Sequence, residues 1–302
     1  MKQGSPHPRW AGLLFASLIA IVVLTSTAGQ AVAPVAAPAP RRIVSTSPTV
    51  TETLFALGLG DRVVGVSRYC RYPAAAAALP KIGTFLKPDV ELIARLQPDL
   101  VVIHESHTTT AERLASLSIR YVTVERGTLA SVFSNIRDIG AATCVADRAT
   151  ALVRDIEQQL ARVRQSVAGR SPKRTLIVVG RRTGALTDLV VAGRGTYLDE
   201  LIGIAGGINV LDDPKLPEYP RIAMETVIRM KPDVIIDAAD MGEQVDVSRI
   251  RRTEALWATQ PLVKASGIRV HGVSEEAFVT PGPRVTDVAR QLARFLHGVD
   301  AR

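Results

Sequence analysis

The side chains of this chain that could do chemistry fall into three groups, each with its own spacing. His104 and His107, in "HESH" directly after an apolar run, could share a metal ion from one loop. Two histidines lack the further ligands that a closed site requires, so a solvated loop stands beside that reading, and no metal is expected. "VVAGRGTYLDELIG" (Val190 to Gly203) has a strand pattern, a G-x-G turn, a helix pattern and Asp212 downstream, which are parts of a dinucleotide or phosphate loop. Leu198 occupies the place of the third glycine, where a bulky side chain opposes close helix packing. A tight Gly193–Thr196 turn that satisfies the next helix's amides is the alternative.

The third group is repeated. "PDVELIARLQPDLVVI" (Pro88 to Ile103) and "RIAMETVIRMKPDVII" (Arg221 to Ile236) each carry a glutamate, Glu91 or Glu225, seven residues before a Pro-Asp pair. Either carboxylate alone would suit the positive end of a helix. Two in matching places point to a shared purpose, namely docking onto paired basic sites of a two-fold partner. Two more glutamates recur: Glu52 precedes Gly58 by six residues and Glu200 precedes Gly206 by six, each in a helix pattern. No G-x-S-x-G, H-E-x-x-H or paired C-x-x-C motif occurs.

The elements that must carry these groups alternate β-type runs with helical patterns, the signature of an α/β fold with mainly parallel sheets. Strands are expected at Arg42 to Thr46, Val63 to Ser67, Asp99 to His104 and Arg120 to Glu125. A second series follows at Arg174 to Gly180, Asp188 to Gly193, Asp233 to Ala238 and Ile268 to Val273. Between the series, Asp147 to Gly169 has no proline, and Leu152, Ile156, Leu160, Val163 and Val167 recur at helical spacing. Such a helix runs about 33 Å at 1.5 Å per residue. The internal repeat and this connector predict two Rossmann-like lobes, residues 41–145 and 170–302, joined by a long helix over 146–169, with a cleft between them.

Residues 1–33 read as a secretory signal peptide: Lys2 and Arg9, the apolar run Ala11 to Leu24, then small residues. That run is short of the roughly 20 apolar residues that span a bilayer. Residues 34–40, rich in proline and alanine, read as a tether. Cys70 and Cys144 are the only cysteines, and in an oxidising compartment a bond between them and two separate thiols are both open. The formal charge is +8, falling by two when Lys2 and Arg9 leave, and the basic residues are dispersed. With 4% aromatics and no basic run, nucleic acid is excluded as a partner.

Four stretches carry a resemblance to a known family: Arg42 to Pro73, Leu79 to Val102, Gly193 to Val210 and Tyr219 to Ile236. Together they resemble the metal-chelate class of bacterial periplasmic substrate-binding proteins, which feed ABC importers and include cobalamin, ferric-siderophore and haem receptors. The resemblance implies a monomeric carrier without enzymatic activity or cofactor, exported across the inner membrane. It also implies that Glu91 and Glu225 meet arginines on the two permease subunits. The likeness is greatest to cobalamin receptors. Phe85, six residues before Glu91, and Tyr219, six before Glu225, stand where such receptors carry tryptophans, and Tyr69 matches a cleft tyrosine. A corrinoid is the ligand so implied. The smaller rings leave two alternatives, in which tyrosines and His104 hold haem iron or Arg181, Arg182 and Arg221 pair with siderophore carboxylates.

Overall fold

The apolar runs Ile43–Ser45, Leu100–His104 and Val234–Asp237 are buried on both faces, and this determines the architecture. The computed structural model describes residues 38–239 and 247–300. The leader expected at residues 1–33, and residues 34–37 of the expected tether, lie outside them. In the first lobe β1 (Ile43–Ser45), β2 (Val63–Val66), β3 (Leu100–His104) and β4 (Tyr121–Val124) form a parallel sheet of order β2-β1-β3-β4. Its helices are α1 (Pro48–Ala56), α2 (Ala74–Ala77), α3 (Val90–Arg95), α4 (Thr108–Ser116) and α5 (Leu129–Ala142).

Helix α6 (Ala146–Ser166) links this lobe to the second. There β5 (Lys173–Gly180), β6 (Leu189–Val191), β7 (Gly207–Asn209), β8 (Arg221–Ile222), β9 (Val234–Asp237) and β10 (Arg269–Gly272) form the second sheet. It runs β10-β9-β5-β6-β8, with β7 also pairing β5. The helices are α7 (Tyr197–Ile204), α8 (Met224–Met230), α9 (Val247–Ala258), α10 (Pro261–Ser266) and α11 (Val285–His297). All eight expected strands form. The second sheet is more mixed than the pattern suggests, because β6 runs antiparallel to both β5 and β8.

Alternation along each strand divides the core. Ile43, Leu100 and Val102 face a core shared with Ile177, Val234 and Ile236 of the second sheet. Their neighbours Val44, Val101 and Ile103, and likewise Leu176, Val178 and Ile235, face separate outer cores. Helix α6 is the middle of the shared core, packing on α5 on one side and on α7 and α11 on the other. Its buried stripe is Ala149, Val153, Ile156, Leu160 and Val163, with Val167 beyond its end. Leu152, expected on the stripe, lies partly buried at its flank. A continuous apolar seam of this kind resists sliding of one lobe on the other.

Side-chain caps set several helix starts, as the sequence chemistry requires. Ser47 accepts from Val50 N ahead of α1, with Pro48 at its first turn, and Asp89 accepts from Glu91 N and Leu92 N at α3. Cys70 and Cys144 are not bonded to each other. Cys70 is buried with its Sγ 3.1 Å from both the Thr51 and Ser67 hydroxyls, while Cys144 is exposed.

Candidate functional site

The carboxyl ends of the parallel strands open into a cleft between the lobes, the usual place for a ligand in an α/β sheet. Two adjoining cavities occupy it, of about 330 and 480 Å³, and Arg126, Val279 and Pro281 line both. Tyr69, Phe85 and His104 line the first, and Tyr219 lines the second. Four of the seven side chains expected at the ligand are therefore brought to one cleft. Each lobe contributes: His104 ends β3, Tyr69 follows β2, and Tyr219 precedes β8.

The first cavity has an aromatic corner. The Phe85 ring lies 5.7 Å from His104 and 5.1 Å from His107, and the two imidazoles are 5.9 Å apart. Arg126 approaches the Phe85 ring with its Cζ 5.8 Å from the centroid. Burial, then the Arg126 and His107 charges, push the His104 pKa down to about 4. Burial and Arg126 also lower that of His107. Both imidazoles are neutral at neutral pH. Burial and Glu218 push the Tyr219 phenol up to about 12 against the opposing pull of Arg126, so it too is neutral. Among the described residues no cluster of three or more His, Cys, Asp or Glu side chains is placed to hold a metal ion.

Three of the expected ligand groups are elsewhere. Arg181 has a side chain only 2% exposed, and its Nε donates to Asp237 Oδ2 at 2.8 Å. The Trp257 indole donates to the same oxygen at 2.7 Å, and Arg181 Nη2 donates to Thr253 Oγ1. A buried guanidinium needs a full set of acceptors, and Arg181 finds them inside its own lobe. Arg221 stands exposed on β8 and lines neither cavity. Arg182 pairs at the surface with Asp188.

The Gly193–Thr196 loop is engaged within its own lobe, and Gly193 N donates to Glu218 O at 2.7 Å. Thr196 caps α7 by accepting from Asp199 N, and Asp199 in turn accepts from Gly195 N at 3.1 Å. Gly195 takes a positive φ of 83°, and Leu198 is fully buried where a dinucleotide loop needs glycine. Arg194 pairs with Asp212, the residue a dinucleotide site would use for ribose. This is a helix cap and not a phosphate cradle.

Glu91 and Glu225 are each the second residue of a short helix, α3 and α8. Both are exposed and have no side-chain partner among the described residues. Sequence reasoning missed Arg126, Glu218 and the Val279–Pro281 wall. Arg126 lies just past a predicted strand end and Glu218 beside Tyr219, so position after a strand and adjacency to a predicted ring were the available signals.

Comparisons with known proteins bear on the fold of the whole chain. The family model described as periplasmic binding protein matches residues 43–270. A vitamin B12-binding protein of Yersinia pestis (strain Pestoides F) is 27% identical over 296 residues, covering 97% of this chain and 95% of the relative. A periplasmic haem-binding protein solved with two haems superposes with a TM-score of 0.71 at 25% identity, covering 84% of this chain and 96% of that one. The periplasmic vitamin B12 binding protein of Vibrio cholerae superposes with a TM-score of 0.69 at 24% identity, over 85% and 96% of the two chains, a likeness of fold.

Proposed function

This chain belongs to the periplasmic binding protein family, and from that premise we propose that it captures a corrinoid in its cleft and delivers it to an ABC importer. It is a carrier outside the cytoplasmic membrane and performs no reaction on its ligand. The observation that carries the reading is the convergence of Tyr69, Phe85 and Tyr219 on one cleft with contributions from both lobes. Ring faces suit a flat macrocycle with an apolar body. The similarity to a vitamin B12-binding protein along nearly the whole chain supports the same ligand. Glu91 and Glu225 serve as the docking groups for the two permease subunits, being exposed and without side-chain partners among the described residues.

A haem ligand is the second reading, favoured by the fold shared with a haem-binding protein and by the cleft tyrosines. A tyrosine that binds ferric iron does so as phenolate. Tyr219, with its pKa pushed up to about 12 by burial and Glu218, resists that ionisation.

Titration of the mature protein with cyanocobalamin, ferric haem and ferric siderophores, followed by calorimetry, separates these readings. One-to-one binding of cyanocobalamin, tighter than of the others, is expected. Phe85→Ala and Tyr219→Ala should each weaken it several-fold or more, since a stacked ring contributes about 0.5–1.5 kcal/mol beyond its burial. Unchanged affinity in both variants would remove the rings from the site.

A further inference from the structure

We propose that His104 donates a hydrogen bond through Nε2–H to an oxygen acceptor on the rim of the chelate and does not ligate its metal. The proposal rests on the cleft being the ligand site. His104 is the last residue of β3, is 4% exposed, and forms part of the wall of the first cavity. The backbone N–H of Ser106 donates to its Nδ1 at 3.2 Å, and Ser106 Oγ lies 2.8 Å from the same atom. A backbone N–H can donate only to a ring nitrogen that carries no proton. The neutral imidazole therefore holds its proton on Nε2.

That Nε2 is buried and has no partner among the described residues. A buried donor left unmet is unfavourable and rare in native proteins. Here the ring's other edge is held by the two-residue turn to Ser106, so Nε2 is the edge left for something outside the chain. Nδ1 of His107, the neighbouring imidazole, is likewise buried without a partner among the described residues. Two such nitrogens at one aromatic corner mark a place built to meet a polar edge of the ligand.

The same tautomer argues against metal ligation. A histidine that ligates through one nitrogen normally donates the other N–H to a carboxylate, carbonyl or water, which fixes the ring and raises its basicity. In His104 the far nitrogen accepts instead, so the lone pair a metal would need on Nε2 is occupied by a proton. The depressed pKa of the ring, set first by its burial, keeps it in this neutral state. Because Nε2 is shielded, the contact forms when ligand displaces the flanking Phe85 or His107 side chain, a rotamer change of the sort common on binding.

The acceptor is an amide carbonyl if the rim is that of a corrinoid and a carboxylate if it is that of haem. Cyanocobalamin and ferric haem are accordingly the two probes, tested on the mature protein, on His104→Phe and on His104→Gln. His104→Phe keeps an aromatic ring beside Phe85 and loses the donor, and about a five-fold or greater loss of affinity for the better probe is expected. His104→Gln restores a donor and should recover part of that loss. The metal-sensitive absorption bands of the bound probe should be the same in wild type and His104→Phe. Nitrogen-15 spectra of the ligand-free protein should show the Nε2–H tautomer, a result that needs no ligand.

The inference is overturned by an Nδ1–H tautomer, by affinity indifferent to His104→Phe, or by a metal band that His104→Phe abolishes. Failure of the wild-type protein to bind either probe, or a siderophore, would overturn the carrier reading and the acceptor with it. That outcome is distinct from binding that ignores His104.

Discussion

Glu91 and Glu225 open helices α3 and α8 and stand in solvent, whereas Glu52 and Glu200, equally repeated between the lobes, reach across to the opposite lobe. Glu52 lies inside α1, is 3% exposed, and takes two hydrogen bonds from Arg284, the residue before α11. Glu200 in α7 accepts at 2.7 Å from the backbone N–H of Leu129, the first residue of α5. Each of these two meets the start of a helix in the other lobe. What each carboxylate faces separates the pairs, since Glu200 too stands in the first turn of its helix. A first-turn carboxylate turned only to solvent is satisfied by water and the helix dipole, but one whose face meets the other lobe takes a donor from it. Repetition in sequence thus marks two different devices, one that joins the lobes and one whose charge remains available.

The largest effect should follow from breaking the Glu52–Arg284 pair. Glu52→Ala leaves the Arg284 guanidinium, only 19% exposed and stacked on Tyr72 with its Cζ 4.0 Å from the ring centroid, without its carboxylate. Removing one partner of a buried pair is strongly destabilising, and about 3 kcal/mol is expected here, at the lower end because Arg284 keeps some access to water. Urea unfolding is the measurement. Replacing both residues by methionine should recover part of the loss, and an unchanged midpoint in Glu52→Ala would class the pair with weak surface bridges.

Glu200→Ala should have a smaller effect of the same kind, about 1 kcal/mol, because it deprives an exposed-side helix start of one acceptor and one favourable charge. Glu200→Gln, which retains the acceptor, should lose less. Equal losses in the two variants would show that charge at the start of α5 matters more than the bond to Leu129.

The two repeated pairs also show how much of this molecule could be read in advance. Eight strands and the connecting helix were legible because β-branched runs and a three-four apolar stripe record burial directly. β7 and β8, with three and two residues, are too short to show any alternation. The direction of β6 left no trace either, since an apolar run has the same composition in both orientations. Among the site residues, Phe85 and Tyr219 were legible because the family resemblance fixes their spacing to Glu91 and Glu225, and Tyr69 through the same resemblance. Arg181 was misplaced because its type announces a charge and not the partner, and Asp237 lies 56 residues away. Arg126 has no counterpart in the repeat, so only the folded chain brings it to both cavities.

The smallest effect on folding should come from Glu91 and Glu225, and this makes them the sharpest test of the contrast. Neither side chain has a partner to lose among the described residues, so alanine at either place should change stability by no more than about 0.5 kcal/mol. Both lie outside the lining of the two cavities, so ligand affinity should also stay at its wild-type value. If they are the docking groups, what changes is delivery. Charge at the rim of an interface acts mainly on association and register, and single exposed pairs are weak. Each alanine variant should therefore reduce uptake through the reconstituted importer, the double variant more so. Reversal of both to lysine should be worse than alanine, since it sets like charges against basic groups of the partner. Ligand affinity and unfolding midpoint serve as controls in the same preparations. Normal uptake by the double lysine variant would leave Glu91 and Glu225 as helix-start carboxylates, and the repeat would then record only the common build of the two lobes.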